Sequence, residues 1–210
     1  MNPWTFFLSH RSEILSATLD HVTLVLIAMA FAIAIAVPLG MLIVQHRHLR
    51  SIVLGIASVF QTIPSLALFG FLIPIPFIGG IGRRTAIVAL ILYALLPILR
   101  NTYVGLSGVD PTILEAAEAM GMTNTQILLR VRFPLALSVI LAGIRTATVI
   151  TIGVATIAAA IGAGGLGTFI FRGVAMVSDS VILAGAIPAA LLAIFADLLL
   201  GLLERRLKVV

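Results

Sequence analysis

The sequence contains no cysteine and has a single lysine, Lys208. The missing thiols exclude disulfides, thiolate metal sites and cysteine nucleophiles. A P-loop needs a lysine that reaches the phosphates of the nucleotide, whereas this lysine lies among the last three residues. The chain therefore carries no Walker A site and cannot by itself be a P-loop ATPase.

Charged residues are also scarce. Only 10% of the 210 residues are charged and 61% are hydrophobic, whereas a soluble domain has about 25% charged residues. A globule of this composition would expose large apolar patches to water. We therefore expect a membrane-embedded protein, and the composition excludes a soluble enzyme or a nucleic-acid-binding protein as the leading interpretation.

Apolar runs of the length that crosses a bilayer, about 20 residues, predict five membrane helices. They are expected at about 21–44, 51–73, 85–105, 135–160 and 181–203. The first 18 residues, with Trp4, Phe6 and Phe7, are typical of a segment that lies in the membrane interface. Residues 19–204 then form one all-α membrane domain, and residues 205–210 form a tail.

The basic residues predict how the chain crosses the membrane, because loops rich in Lys and Arg stay in the cytoplasm. With five spans, eight basic residues lie on one side and four on the other. The first set is Arg47, Arg50, Arg100, Arg130, Arg132, Arg205, Arg206 and Lys208, and the second is Arg11, Arg83, Arg84 and Arg172. We therefore expect the N-terminus outside and the C-terminus in the cytoplasm.

The most polar stretch, residues 107–134, lies on the predicted cytoplasmic side. Asp110 followed by proline predicts a helix start, and Gly121 predicts its end. A second helix is expected after Thr123, which forms a capping-box pattern with Gln126, and Pro134 is expected to bend the chain toward the fourth span. The spacing fits either a docking element for a cytoplasmic partner or an ordinary solvated loop.

This stretch also carries an ordered motif, with Glu115-Ala116-Ala117, then Gly121, and a Val-x-Phe-Pro ending at residue 134. It resembles the EAA loop of binding-protein-dependent ABC importer permeases, in which Ile and Leu are usual where this chain has Val131 and Phe133. Four further runs are similar to permeases of osmoprotectant importers, which take up glycine betaine, carnitine or choline. These runs are residues 61–67, 96–103, 142–148 and 161–167.

The resemblance implies a type I ABC importer permease whose EAA loop sits in a groove of a separate ATPase subunit. It assigns this coupling role to Glu115, Ala116, Ala117 and Gly121, and it implies no catalytic, metal or cofactor site on the chain, since the partner subunit uses the ATP. The implied complex has two permease subunits, identical or paralogous, two ATPase subunits and an external substrate-binding protein. It would lie among the lipids of a bacterial or archaeal cytoplasmic membrane.

Arg145 is the most costly residue of the predicted spans, since an arginine at the centre of a membrane helix costs roughly 2.5–3.5 kcal/mol on insertion scales. It must face protein or a wet cavity. We expect either a pathway or gate residue or an ion pair, with Asp197 or Glu118 as its partner.

Pro64 interrupts the hydrogen-bond ladder of the second span. Together with Gln61 and Ser65 it marks either a kinked gate helix or a static packing kink. Both interpretations stay open at this point.

Other functional classes are less consistent with the sequence. A secondary transporter that needs no ATP would use Arg145, Asp179 and Asp197 as relay or ion sites, but it leaves the polar loop unexplained. An intramembrane enzyme is disfavoured because neither a His-Glu-x-x-His run nor a Gly-x-Ser-x-Gly elbow is present. Within the importer class, a permease for another small solute, such as methionine, is the alternative interpretation.

Overall fold

The computed structural model describes residues 3–207, so residues 1–2 of the predicted interfacial segment and residues 208–210 of the predicted tail lie outside the described residues. Every regular element in the described range is helical. In chain order these helices are α1 (Pro3–Ser9), α2 (Arg11–Gln45), α3 (Arg47–Thr62), α4 (Ser65–Leu72), α5 (Arg83–Ser107), α6 (Pro111–Ala119), α7 (Asn124–Ile127), α8 (Phe133–Ile157), α9 (Gly167–Ala175) and α10 (Asp179–Arg206). A π-helical turn, Leu128–Arg132, precedes α8, and a 3-10 turn, Ala158–Ile161, follows it.

Within residues 3–207, four helices are long and apolar enough to cross a membrane. They are α2, α5, α10 and the continuous helix Asn124–Ile161, which contains α7 and α8. The pair α3 and α4 makes a fifth candidate span if the two helices are taken together. The all-α fold with about five spans is therefore confirmed.

The second predicted span, 51–73, is not a single helix. The axes of α3 and α4 differ by 104° across a break between Thr62 and Ser65. Pro64 explains the break, because proline has no N–H to donate and forces the preceding residue out of the helical region. Accordingly Ile63 is extended, with φ −70° and ψ 128°.

The first membrane helix begins earlier than the sequence suggests. It starts at Arg11, well before the expected start at residue 21, and runs for 35 residues. At 1.5 Å per residue it is about 50 Å long, whereas the hydrocarbon core of a bilayer is about 30 Å thick. Residues 11–18 of the predicted interfacial segment are thus part of the same helix as the first span.

Pro134 lies inside an unbroken helix, and the bend expected there from the sequence stays a prediction. The N–H of Phe133 bonds to the carbonyl of Leu128, five residues back instead of four. This wider turn places the proline in the first turn of α8, where its missing N–H is tolerated. The helix therefore continues without a break from Asn124 to Ile161.

The core of the bundle is built on small residues. On α2, Ala28, Ala32 and Ala36 are fully buried. On α8, a side chain at Gly143 would collide with Asn101 of α5, since a Cβ there would lie 2.5 Å from the Cβ of Asn101. Small residues let membrane helices approach closely, so α5 packs tightly against both α2 and α8.

The other end of α8 leads into a glycine-rich turn, residues 162–167. Gly162, Gly164 and Gly165 all have positive φ, between 75° and 83°, in the left-handed region that favours glycine. The nine-residue helix α9 follows and packs on α10. The sequence does not predict α9, because it is too short to show a helical period in so apolar a chain.

Candidate functional site

The polar loop between α5 and α8 folds as the capping pattern predicts. One carboxylate oxygen of Asp110, Oδ1, accepts hydrogen bonds from the backbone N–H of Thr112 at 2.9 Å and from its hydroxyl at 2.8 Å. These two bonds, the backbone bond above all, hold the pKa of Asp110 below its ordinary value. Pro111 occupies the first turn of α6, so this helix starts at a defined residue.

The end of α6 is equally defined. The N–H of Gly121 bonds to the carbonyl of Glu118 at 2.9 Å, and the N–H of Met122 bonds to the carbonyl of Ala117 at 3.1 Å. This is the Schellman pair of bonds, with Gly121 at a φ of +79° in the left-handed position. The predicted glycine corner is confirmed.

A complete capping box starts α7. The backbone N–H of Thr123 donates to Oε1 of Gln126 at 2.8 Å, and the N–H of Gln126 donates to the hydroxyl of Thr123 at 3.4 Å. Ile127, the last residue of α7, is buried. In the turn that follows, Nη1 of Arg132 donates to the carbonyl of Leu106 in α5 at 3.3 Å. The turn that follows α7 is therefore bonded to α5.

The four residues assigned to coupling lie on different sides of α6 and its corner. Ala117 is only 2% exposed, whereas Glu115, Ala116 and Gly121 are exposed. Beside them is a groove of about 330 Å³ between the end of α2 and the loop. Its lining includes His46, Glu118, Asn124, Leu128 and Arg132. A short helix with both ends capped thus presents one face outward, next to a polar groove.

Arg145 pairs with Asp197 and not with Glu118. Its Nε lies 2.6 Å from Oδ1 of Asp197, and its Nη2 lies 2.7 Å from Oδ2, so the pair is bidentate. Glu204, seven residues along α10, adds a contact of 3.3 Å to Nη1. Two carboxylates of α10 therefore hold one guanidinium of α8.

Gly201 makes room for this ion pair. A Cβ at this position would lie 3.0 Å from Nη1 of Arg145 and 3.1 Å from its Cζ. The guanidinium therefore rests against the backbone of α10. The sequence contains a signal for Glu204, which shares a helix face with Asp197 at a spacing of seven, but none that singles out Gly201.

The other three pathway candidates lie together at the break between α3 and α4. Gln61 and Ser65 are half-buried and Pro64 is exposed. The hydroxyl of Tyr93 on α5 donates to the carbonyl of Ile63, which satisfies a backbone group that the break leaves outside a helix. The sequence does not predict this bond, since Tyr93 and Ile63 lie 30 residues apart in the chain.

No group of three or more His, Asp or Glu side chains within residues 3–207 is close enough together to hold a metal ion.

The chain is similar to proteins of known family along most of its length. Residues 28–209 match the family model of the binding-protein-dependent transport system inner membrane component. The chain is 47% identical to the carnitine transport permease protein OpuCB of Listeria monocytogenes, over 97% of this chain and 92% of that protein. It is 45% identical to the glycine betaine/carnitine/choline transport system permease protein OpuCD of Bacillus subtilis, over 97% of this chain and 88% of that protein.

A third relative is the osmoprotectant import permease protein OsmW of Salmonella typhimurium, 47% identical over 95% of this chain and 94% of that protein. Among solved structures, an inward-facing form of the MetNI methionine ABC transporter matches with a TM-score of 0.84 and 23% identity, covering 99% of both chains. This likeness shows the shared fold. The chain therefore belongs to the family of binding-protein-dependent transport system inner membrane components, the permease subunits of ABC importers.

Proposed function

We propose that this chain forms the translocation pathway of an ATP-driven importer for osmoprotectants such as glycine betaine, carnitine or choline. The observation that carries the proposal is the 47% identity to a carnitine transport permease, which extends over 97% of this chain. The aligned stretch of 203 residues extends over the polar loop, the bend and the glycine turn as well as the apolar spans.

In this proposal, α6 is the coupling element for a separate ATPase subunit. Glu115, Ala116 and Gly121 face outward and would contact the ATPase, while Ala117 lies on the buried side of α6. The small side chains let another backbone approach closely. Because α6 is capped at both ends and its loop is bonded to α5, a displacement of the ATPase would be passed on to the bundle.

The bend between α3 and α4 is the proposed gate. Gln61 and Ser65 offer polar groups where the helix axis turns by 104°, and Pro64 maintains that turn. Arg145 contributes to gating through its ion pair, since it ties α8 to α10. A guanidinium paired in this way presents no free positive charge to a cationic solute.

The remaining parts of the proposal concern assembly. The α6 side lies in the cytoplasm and the N-terminus lies outside, so a substrate-binding protein would dock at the end of the bundle that carries the glycine turn. A second permease subunit, identical or paralogous, completes the pathway, and residues 19–204 form the permease domain. The complex would reside in the cytoplasmic membrane of a bacterium or archaeon.

The test is uptake of labelled solutes by cells that lack other osmoprotectant importers and express the chain with its ATPase and binding-protein partners. We expect ATP-dependent accumulation of at least one of glycine betaine, carnitine and choline. Accumulation of methionine with none of these three would contradict the solute assignment. Uptake by the purified chain alone in liposomes would favour a secondary transporter instead.

A further inference from the structure

A histidine lies buried where α2, α8 and the glycine turn meet. His21 of α2 is 0% exposed, and its Nε2 lies 3.1 Å from the carbonyl of Ile152 in α8. A carbonyl can only accept, so Nε2 must carry the hydrogen, and the neutral ring then has its lone pair on Nδ1. This contact joins residues 131 positions apart in the sequence.

The Nδ1 edge of the ring packs against the glycine turn. A Cβ at Gly165 would lie 3.1 Å from Nδ1 of His21 and 3.3 Å from its Cβ. The φ of Gly165 is +79°, so the turn needs glycine here both for its backbone conformation and for the space. The same turn is tied to the end of α8, since the N–H of Ala163 bonds to the carbonyl of Ala158 at 3.2 Å.

A histidine at this position carries a cost. Nδ1 of His21 is buried and has no hydrogen-bond partner among the described residues, and a buried polar atom without a partner destabilises a protein. A phenylalanine would fill the space without that cost. The compensating feature is the bond from Nε2, which holds a carbonyl near the end of α8 that leads into the turn.

We infer that His21 is a positioning residue, which fixes this end of α8 and the glycine turn against α2. The effect of this contact on transport rests on the proposed function, because α8 carries Arg145, a proposed gating residue, and the turn leads through α9 to α10. The contact itself is independent of the solute. This contact holds the C-terminal end of α8, whereas the polar loop lies at its N-terminal end.

The absence of cysteine makes this inference testable with one introduced thiol. Ala163 belongs to the glycine turn and is only 6% exposed, so an Ala163→Cys thiol reports whether the turn stays closed. The reaction of this thiol with a water-soluble maleimide is measured at one fixed pH, in the assembled complex in lipid nanodiscs. Residue 21 is His, Gln, Asn or Phe.

The four side chains at residue 21 separate the effect of the hydrogen bond to Ile152 from the effect of filling the space that the ring occupies. The amide nitrogen of glutamine reaches the place of Nε2 and keeps a donor toward Ile152, whereas asparagine is too short and phenylalanine has no donor. We expect His21→Gln to react within about twofold of the parent. We expect His21→Asn and His21→Phe to react at least about tenfold faster, and their ATP-driven uptake to fall at least about fivefold with unchanged ATPase co-purification.

Equal reaction rates in all four backgrounds would overturn the inference, and so would a loss in His21→Gln as large as that in His21→Phe. If His21→Phe does not assemble, the comparison of His21→Gln with His21→Asn decides. The labelling result stands even where the complex transports none of the tested solutes, so failure of the proposed function is distinguishable from failure of this inference.

Discussion

Arg145 of α8 and Asp197 of α10 form a bidentate ion pair, with donor–acceptor distances of 2.6 and 2.7 Å. A side chain that would be costly in a membrane is thereby matched with an opposite charge on the neighbouring helix. The second carboxylate, that of Glu204, lies 3.3 Å from Nη1 of Arg145. The pair therefore defines how α10 sits on α8.

The first prediction concerns the two carboxylates. Asp197→Asn removes the bidentate partner and should lower both the melting temperature of the purified complex and the rate of uptake, the latter at least about fivefold. Glu204→Gln removes only the longer contact and should change uptake by about twofold or less. An equal effect of both variants, measured at matched expression, would show that the bidentate geometry is unimportant.

The second prediction concerns Gly201. Gly201→Ala places a methyl group 3.0 Å from Nη1 of Arg145, so the guanidinium must shift. The rate of uptake should therefore fall, as it should in the Asp197→Asn variant. Gly55→Ala in α3 is the matched control, since nothing lies within 4 Å of a Cβ there. Wild-type uptake and melting temperature in Gly201→Ala would contradict the close fit.

The third prediction concerns the glycine corner of the coupling loop. A bulky residue such as leucine at Gly121 must adopt a φ near +79°, which costs about 1–2 kcal/mol for an L-residue. The corner should distort, and co-purification of the ATPase should fall several-fold while the permease remains in the membrane. Gly121→Asn tolerates this conformation better and should retain most of the binding. Intact co-purification and full uptake in Gly121→Leu would exclude a coupling role for this corner.

The fourth prediction is a pH dependence of α6. Its hydrogen bonds lower the pKa of Asp110 below the value of about 3.9 in an unfolded chain. Stabilisation by the carboxylate is therefore fully present above that value and is lost as the pH falls through the folded-state pKa.

Hydrogen exchange of the α6 amides, corrected for the intrinsic rate at each pH, measures this effect. Asp110→Ala should lose protection severalfold at pH 7, and the difference from wild type should shrink on acidification to about pH 3. Asp110→Asn, which can still cap the helix, should be less affected at pH 7. A difference between wild type and Asp110→Ala that is constant with pH would argue against a charged cap.

The fifth prediction concerns the bend. Tyr93→Phe removes the donor to the carbonyl of Ile63, which should destabilise the complex by about 1–3 kcal/mol and reduce uptake. The other tyrosine, Tyr103, donates nothing to the bend, and its hydroxyl accepts from Nη1 of Arg50 at 2.7 Å near the opposite end of α5. Tyr103→Phe should therefore leave uptake within about twofold. A larger loss of uptake in Tyr103→Phe than in Tyr93→Phe would show that transport depends on the Tyr103 end of α5 and not on the bond to the bend.

Features determined within a few residues are predictable from this sequence, and features that depend on helix register are not. The cap at Asp110, the corner at Gly121 and the capping box at Thr123 are local and form as expected. The sequence also marks Pro64 as an interruption. It does not reveal a bend of 104°, because that angle depends on how α4 packs and on a donor from α5.

The partner of Arg145 shows the same limit. Asp197 and Glu118 are both acidic, and only the register of α10 against α8 selects Asp197. His21 is a comparable case, since its contacts come from Ile152 and Gly165, far along the chain. The π-helical turn before α8 is invisible in the sequence because proline at residue 134 is equally compatible with a kink.

The unbroken helix from Asn124 to Ile161 connects the polar loop to the glycine turn through 38 residues. At 1.5 Å per residue this helix is about 57 Å long. Such a helix behaves as a lever. A tilt of about 5° imposed at the end that starts at Asn124 would carry the far end sideways by about 5 Å on this length. A tilt of the polar loop would therefore also shift the end of the bundle that carries the glycine turn.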